Sequence, residues 1–419
     1  MREARSMSAG GPIVVVGAGQ AGFQAAASLR EAGFDGSLTI VGDEPAAPYQ
    51  RPPLSKAYLS GKATPETLAL RPAQFYADHR IALRLGARAA ALDPAARQVA
   101  LATGERLPYD HLILATGARN RPLPLPGADL TGLHQLRTLA EADALRQRLD
   151  GVARIVVVGA GFIGLEFAAA AAARGIGVTV VEAGDRVMAR AVSPAISAFF
   201  RAAHEAAGIR FVFGTGVTRL VGAESRVTAV ETADGRSLPA DLVLVGIGIV
   251  PNVDLAAAAG LPVADGVVVD RALLTADPSI SAIGDCAVFP SSFAGDAPTR
   301  IESVQNAVDQ ARCVAARLTG RAVPYGALPW FWSDQGRWKL QIAGLAAPDD
   351  RALTRGDPAT GAFSVFRYRQ DRLVAVESVN RPADHMIARR LIAEGRPLAP
   401  DRAADPAFDL RALVRPAAA

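Results

Sequence analysis

Two short glycine patterns carry the chemistry that residue types and spacing make most legible. Residues 13–16, Ile-Val-Val-Val, run into Gly17-Ala18-Gly19-Gln20-Ala21-Gly22. Residues 155–158 repeat Ile-Val-Val-Val and run into Gly159-Ala160-Gly161-Phe162-Ile163-Gly164. Each copy is an apolar strand-like run, a Gly-x-Gly-x-x-Gly turn and an Ala-rich helical stretch. Roughly 20 residues further on, each reaches a second apolar run that ends in an acid. That acid is Glu44 in the first copy and Glu182 in the second. A lone Gly-x-Gly-x-x-Gly says little, but this setting is the one a dinucleotide needs. The first glycine permits a tight turn, the second lets a pyrophosphate approach the backbone, and the third lets helix pack on strand. The pyrophosphate then sits on a helix N-terminus, where N–H groups and the helix dipole favour an anion. The acid accepts hydrogen bonds from a ribose diol and repels a 2′-phosphate, so Glu182 favours NADH over NADPH. Arg186 and Arg190 follow closely enough to oppose that preference. Two such sites in one chain predict a flavin (FAD) and a nicotinamide (NADH) between which electrons pass.

The elements that position these turns come as an internal duplication. Leu107-Pro-Tyr-Asp and Leu238-Pro-Ala-Asp each open a buried-strand run that closes in small residues. Each follows a hairpin-like stretch with a turn signal, Thr103-Gly104 in one and Asp234-Gly235 in the other. Two βαβ…β copies therefore occupy about 1–125 and 126–249. The region 250–326 holds a strand-like run to Ile283, then Gly284-Asp285, then a helix expected from Ser303 to Leu318. It completes the first copy. From Pro329 the texture changes to alternating and aromatic runs, such as those starting at Phe363 and Leu373, with helix expected only near Pro382 to Glu394. The expected fold class is α/β: two Rossmann-like dinucleotide-binding domains plus a C-terminal α+β domain.

Composition narrows the function class. A chain of 419 residues exceeds what one core supports. No apolar run approaches ~18 residues, so no membrane span is expected. The opening MREARSMSAGG lacks the apolar core of a signal peptide, and Met7 is a second candidate start. A cytoplasmic location is expected. The formal net charge of +4 comes without a long Lys/Arg run, which argues against nucleic acid and leaves open a local basic face for an acidic protein partner. The two cysteines, Cys286 and Cys313, form no Cys-x-x-Cys pair, so neither a dithiol nor a zinc site is expected, and both read as packing residues. The five histidines fall in no motif and read as surface or satisfied core residues.

Taken with the fingerprints, further motifs make the chain resemble the FAD-dependent, NADH-dependent ferredoxin reductases of the putidaredoxin reductase type. The motifs are Arg51-Pro-Pro-Leu-Ser-Lys56, Ala115-Thr116-Gly117, Gly284-Asp285, Ile301-Glu302-Ser303-Val304 with Asn306-Ala307, and Pro329-Trp-Phe-Trp-Ser-Asp-Gln335. The resemblance covers nearly the whole chain. It implies a glutathione-reductase-like fold without that enzyme's redox disulfide. It also implies that Lys56 lies beside the flavin N5 and pairs with Glu166. Asp285 then binds ribityl hydroxyls, and the helix after Glu302 aims its N-terminus at the flavin N1–C2=O edge, with Val304 in backbone contact. Arg51, Ala89 and Arg137 match FAD-touching positions, although valine is common where Ala89 stands. Gly246 and Gly248 let the nicotinamide pass close to backbone. Trp332 is the aromatic expected beside flavin or nicotinamide, while Trp330 and Phe331 read equally as core. Ala18, Ala21 and Ile163 join the expected cofactor contacts through their fingerprints, and Arg190 joins them from the stretch soon after Glu182.

The first copy, joined to Lys56 and Asp285, is expected to hold FAD in a domain of 1–125 and 250–326. The second, followed by Glu166 and Glu182, is expected to hold NADH in 126–249, leaving 327–419 as a β-rich interface domain. The implied reaction takes electrons from NADH through FAD to a [2Fe–2S] ferredoxin serving a cytochrome P450 or ring-hydroxylating oxygenase. The cluster belongs to the partner, because two separated cysteines cannot hold one. Ferredoxins are commonly acidic, and Arg312 is the first candidate to dock one. Rival readings are a rubredoxin reductase or NADH oxidase on the same fold, or an apoptosis-inducing-factor-like binding flavoprotein.

Overall fold

The computed structural model describes residues 10–414. The chain forms two compact units. The first gathers residues up to Gln50, Pro65–Arg119 and Val250–Pro329; the second gathers Arg51–Thr64, Asn120–Ile249 and the chain from Trp330 onward.

The first unit is built on the strand Ile13–Val16, which is buried along its whole length. A strand buried on both faces suits the middle of a parallel sheet. The sheet runs Ile280–Ala282, His111–Leu114, Ile13–Val16, Leu38–Val41, Ile81–Arg84, with Ile13 opposite both Leu38 and His111. Helices Gln20–Glu31 and Val304–Leu318 share its core through Ala25, Ala26, Leu29, Ala311 and Val314. An antiparallel meander of Ala89–Asp93, Gln98–Leu101 and Arg106–Pro108 accounts for the hairpin signal. The chain after residue 250 thus supplies this sheet with an edge strand and a helix. It also forms a small sheet (Val267–Val268, Ala287–Ser291, Ala297–Thr299) that the sequence did not announce.

The second unit repeats the plan. Its parallel sheet runs Arg210–Phe213, Gly177–Glu182, Arg154–Val158, Leu242–Val245, Leu133–His134. A second meander comprises Val217–Ala223, Arg226–Thr232 and Ser237–Pro239. In both sheets the fingerprint strand lies between the strand that leads to the acid and the strand after Leu-Pro-x-Asp. The duplication read from sequence is therefore a duplication of topology.

The same unit carries the C-terminal antiparallel sheet, ordered Trp330–Gln335, Trp338–Gly344, Arg372–Val379, Phe363–Arg369, Arg351–Arg355. Helix Pro382–Ala393 follows it, and a short helix at Pro400–Ala404 adds to the single helix expected there. Residues 51–64, which the sequence boundary kept with the first copy, pack with the second unit. The reason is local. Tyr58 donates its hydroxyl proton to Asp143, Arg51 donates to the Arg137 carbonyl at 2.7 Å, and Lys56 reaches Glu166.

A buried ion pair ties this sheet to the helix before it. Glu377, 1% exposed, accepts from Arg367 at 3.0 Å and from the Ser193 backbone N–H at 2.9 Å. Ser193 is the N-cap of helix Pro194–Ala206. Removing one partner of a buried pair strands the other charge, at a cost of roughly 3–5 kcal/mol. Denaturant unfolding of Glu377→Ala is expected to show a loss of that size. Arg201→Ala, which removes an exposed pair with Glu205, is expected to cost about 0.5 kcal/mol or less.

Candidate functional site

The glycines of the two fingerprints divide into those the chain itself demands and those it does not. Gly17 has φ +120°, and a Cβ there would lie 2.0 Å from the Ala115 carbonyl oxygen. A Cβ on Gly22 would lie 1.9 Å from the Gly17 carbonyl oxygen. In the second copy, Gly159 meets the Gly246 oxygen at 2.4 Å and Gly164 meets the Gly159 oxygen at 2.3 Å. The middle glycines differ: a Cβ on Gly19 or Gly161 meets no atom within 4 Å. Their φ values, −82° and −78°, suit any residue. Protein packing therefore explains the outer glycines and leaves the middle ones unexplained. A group brought against the outer face of each turn explains them, and no side chain caps either helix at that point. Both turns fit a pyrophosphate.

Around the first turn, Ala18 lies against Gly42 and Ala21 against Gly284. Gly284 has φ +76°, and its N–H donates to Gln310 Oε1 at 2.7 Å. That fixes the backbone from which Asp285 projects. Ala115-Thr116-Gly117 is locked by Asn252, a residue the sequence did not single out. Thr116 Oγ1 donates to the Asn252 carbonyl at 2.7 Å, Asn252 Nδ2 donates to the Thr116 carbonyl at 2.9 Å, and Asn252 N–H donates to the Gly117 carbonyl at 2.9 Å. Glu44 accepts from the Tyr49 hydroxyl at 2.6 Å. Glu302 pairs with Arg300 at 2.6 Å, and Ser303 caps the helix that Val304 opens. Ala89 stands half-buried at the start of the meander.

Around the second turn, the Glu182 carboxylate accepts from Ala160 N–H at 2.7 Å and from Gly184 N–H at 2.8 Å, which holds it at the rim of the turn. Arg186 is turned away: its guanidinium donates to the carbonyls of Val192 and Ala189 at 2.9 and 2.7 Å. Arg190 instead places Nη2 3.5 Å from where a Cβ on Gly248 would stand, and Gly248 has φ +98°. Ile163 is 43% exposed, unusual for a residue of its kind. The Gly246 carbonyl lies under the fingerprint, where it forbids a side chain at Gly159.

One full turn into helix Phe162–Ala172 stands Glu166, 4% exposed. A carboxylate that far from water costs several kcal/mol unless charge and hydrogen bonds compensate it. Lys56 Nζ lies 2.9 Å from Oε1. Ser333 Oγ donates to the same oxygen at 2.6 Å, and Ser55 Oγ donates to Oε2 at 2.5 Å. The pair that the family resemblance implied is thus brought together, and the two serines are additions. Both lay inside quoted motifs, but a serine in a motif carries no signal of its own. Arg51 and Arg137 are also brought together, by the bond between guanidinium and carbonyl.

Trp332 is placed differently. Along Trp330–Gln335 the strand alternates. Phe331 packs on Phe162 at 4.6 Å between ring centroids, on the same face as Ser333. Trp332 lies on the opposite face with Trp330, ring centroids 5.6 Å apart. Its face is not the one that meets Glu166.

The histidine expectation needs a correction. His79 is exposed, His111 bonds Ser281 at 2.9 Å and His204 bonds Gln335 at 2.8 Å. His385, 1% exposed, has no hydrogen-bond partner on either ring nitrogen among the described residues, and His134 Nε2 has none. Burial against Trp330 accounts for His385: it pushes the imidazole down to about 4, so the ring stays neutral.

The family described as "Pyridine nucleotide-disulphide oxidoreductase" matches residues 11–311, and the one described as "Reductase C-terminal" matches 330–414. The chain belongs to the pyridine nucleotide-disulphide oxidoreductase family. It is 54% identical to rhodocoxin reductase of Rhodococcus erythropolis, over 96% of this chain and 94% of that one. Among solved structures, the ferredoxin reductase for the CYP199A2 system from Rhodopseudomonas palustris has a TM-score of 0.94 at 51% identity, covering 96% of this chain and all of the other. The reductase in the covalent putidaredoxin reductase–putidaredoxin complex also has a TM-score of 0.94, at 42% identity, with 97% and 99% covered. As a member of this family the chain is an oxidoreductase that uses FAD and NADH. Its two cysteines form no disulfide, so the disulphide chemistry in the family's description has no pair of residues here.

The middle glycines give the test. Gly19→Val and Gly161→Val should both fold, as judged by circular dichroism. Gly19→Val is expected to purify colourless, and Gly161→Val to stay yellow but resist reduction by NADH. Yellow Gly19→Val protein would reject the assignment of FAD to the first turn.

Proposed function

We propose that this protein passes electrons from NADH, through FAD, to a [2Fe–2S] ferredoxin that serves a cytochrome P450 or a ring-hydroxylating oxygenase. The observation that carries the proposal is the Lys56–Glu166 pair at 2.9 Å, held one turn inside the helix that the second fingerprint opens. FAD, when bound, accepts two electrons as a hydride and returns them singly. The protein's work is to bind, orient and shield.

The first fingerprint, with Ala115-Thr116-Gly117, Asp285 and the helix opened by Val304, holds FAD in the unit that gathers residues up to Gln50, Pro65–Arg119 and Val250–Pro329. Arg51, Arg137, Glu44 and Ala89 add contacts to its adenosine and pyrophosphate parts. The second fingerprint, with Ile163, Glu182, Arg190, Gly246 and Gly248, holds NADH in 126–249. Lys56 keeps an ammonium at the reacting end and Glu166 fixes where it stands, while Trp332 offers its aromatic ring from the opposite face of its strand, apart from that pair. Residues 327–419 form the interface domain. Glu182 selects NADH because its carboxylate repels a 2′-phosphate. The turn of Arg186 onto its own loop removes one cation that would have opposed this choice.

An NADH oxidase of this fold wants a reactive thiol. Cys286 is buried, its S–H directed at the carbonyls of Ile283 and Leu114 at 3.3 and 3.6 Å, and burial pushes the thiol up. That is the setting of an inert cysteine. Two unpaired thiols also suit a cytoplasmic setting.

Arg312, on helix Val304–Leu318, remains the first docking candidate. It is 63% exposed and only loosely paired with Asp309, at 3.7 Å. Ferredoxin-mediated reduction of cytochrome c tests both partner and residue. Turnover with NADH should exceed turnover with NADPH, and a [2Fe–2S] ferredoxin should outperform a rubredoxin. Arg312→Glu should slow the reaction about tenfold and flatten its salt dependence. Equal rate and equal salt slope would remove Arg312 from the interface, and a preference for rubredoxin would replace the partner.

A further inference from the structure

The Lys56–Glu166 pair is supported from behind by a line of buried polar groups. Ser333 Oγ lies 3.2 Å from Gln335 Nε2, and Gln335 Oε1 lies 2.8 Å from His204 Nε2. Ser333, Gln335 and His204 are 0%, 1% and 3% exposed. The direction of the line is set from one end. An ionised carboxylate only accepts, so Ser333 must donate to Glu166, and its lone pair is then offered to the Gln335 amide. Gln335 therefore turns its carbonyl oxygen to His204, whose Nε2 carries the proton. Met188 Sδ, 3.4 Å from Gln335 Nε2, accepts weakly from the same amide and agrees with that orientation. Burial holds His204 below the ordinary imidazole range, which keeps the ring neutral.

The elements that deliver these groups are rigid. Phe331, Ser333 and Gln335 share one face of a paired strand, and Phe331 locks that face onto Phe162 at the start of the Glu166 helix. His204 sits in the last turn of helix Pro194–Ala206, whose first turn is fixed through Ser193 to Glu377. An apolar core at Ser333, Gln335 and His204 would be simpler to build, because buried polar lines are costly wherever one member goes unsatisfied. The line also ends on the one carboxylate that the proposed chemistry uses.

We infer that Ser333, Gln335 and His204 are positioning residues that set the orientation and basicity of Glu166, and through it the place of the Lys56 ammonium. The titratable groups facing Glu166 are then Lys56 directly and His204 through three hydrogen bonds, by way of Ser333 and Gln335. The inference rests on the proposed role of Lys56 and Glu166 in hydride transfer, so its test is read in two ways. The first needs no turnover: pH-difference infrared spectra of the NADH-free holoprotein, with the carboxylic C=O band assigned by its loss in Glu166→Gln.

Removing the Ser333 hydroxyl takes a hydrogen bond from the charged form of Glu166, so protonation moves to higher pH. In Ser333→Ala, an isosteric change that should fold, the midpoint is expected to rise by about one to two pH units. Gln335→Met should give a smaller rise, and Ser333→Thr should restore the original midpoint. The second reading is the rate of flavin bleaching by NADH. Its acid limb should move by the same amount, with the Kd for NADH unchanged. If Ser333→Ala lowers Tm but leaves the infrared midpoint in place, the line is only structural and the inference is overturned. A shifted midpoint with an unshifted kinetic limb would support the positioning line and sink the hydride-transfer role of Glu166.

Discussion

A carboxylate at 4% exposure must find its compensation inside the protein, and Glu166 finds it in Lys56, Ser55 and Ser333. These groups come from three distant stretches of chain. One is the short segment after the first fingerprint's acid, one is the helix opened by the second fingerprint, and one is the first strand of the C-terminal sheet. The requirement to bring them together accounts for why Arg51–Thr64 leaves the first unit and why the chain from Trp330 onward joins the second. Gly161 and Glu166 are five residues apart on one helix, about 7 Å along its axis. One rigid element therefore presents backbone N–H groups at its start and a fixed ion pair one turn later.

The duplication shows how one topology came to serve two dinucleotides. Both copies keep the same strand order and the same division of labour among their glycines. They differ in what was added. The first takes its edge strand, Ile280–Ala282, and a second helix from chain that follows both copies. The second takes its edge strand, Leu133–His134, from chain that precedes its fingerprint. The acids diverge as well: Glu44 is held by a tyrosine hydroxyl, Glu182 by two backbone N–H groups of its own turn and loop.

Much of this was legible in the residues. The glycine spacing, the repeated Ile-Val-Val-Val and the paired Leu-Pro-x-Asp runs report steric demands that act over a few residues, so they show in sequence as fixed patterns. The Lys56–Glu166 pair was legible only through family resemblance, because nothing local joins a lysine in one loop to a glutamate far along the chain. Ser55, Asn252, Ser333, Gln335 and His204 were not legible. Small polar residues mark a site by where tertiary contacts place them. His385 was misread for a related reason: its unpartnered ring is tolerated because burial keeps it neutral, and no sequence pattern reports burial of that kind.

The proposed role of the Lys56–Glu166 pair in hydride transfer from NADH can be tested by anaerobic rapid mixing of holoprotein with NADH deuterated at the transferred C4 position. A primary isotope effect on flavin bleaching is expected. Lys56→Met is expected to slow bleaching on the order of a hundredfold, as loss of a charge that acts on the reacting atoms does, with the Kd for NADH preserved. Bleaching at the full rate in Lys56→Met, with the same isotope effect, would contradict that role.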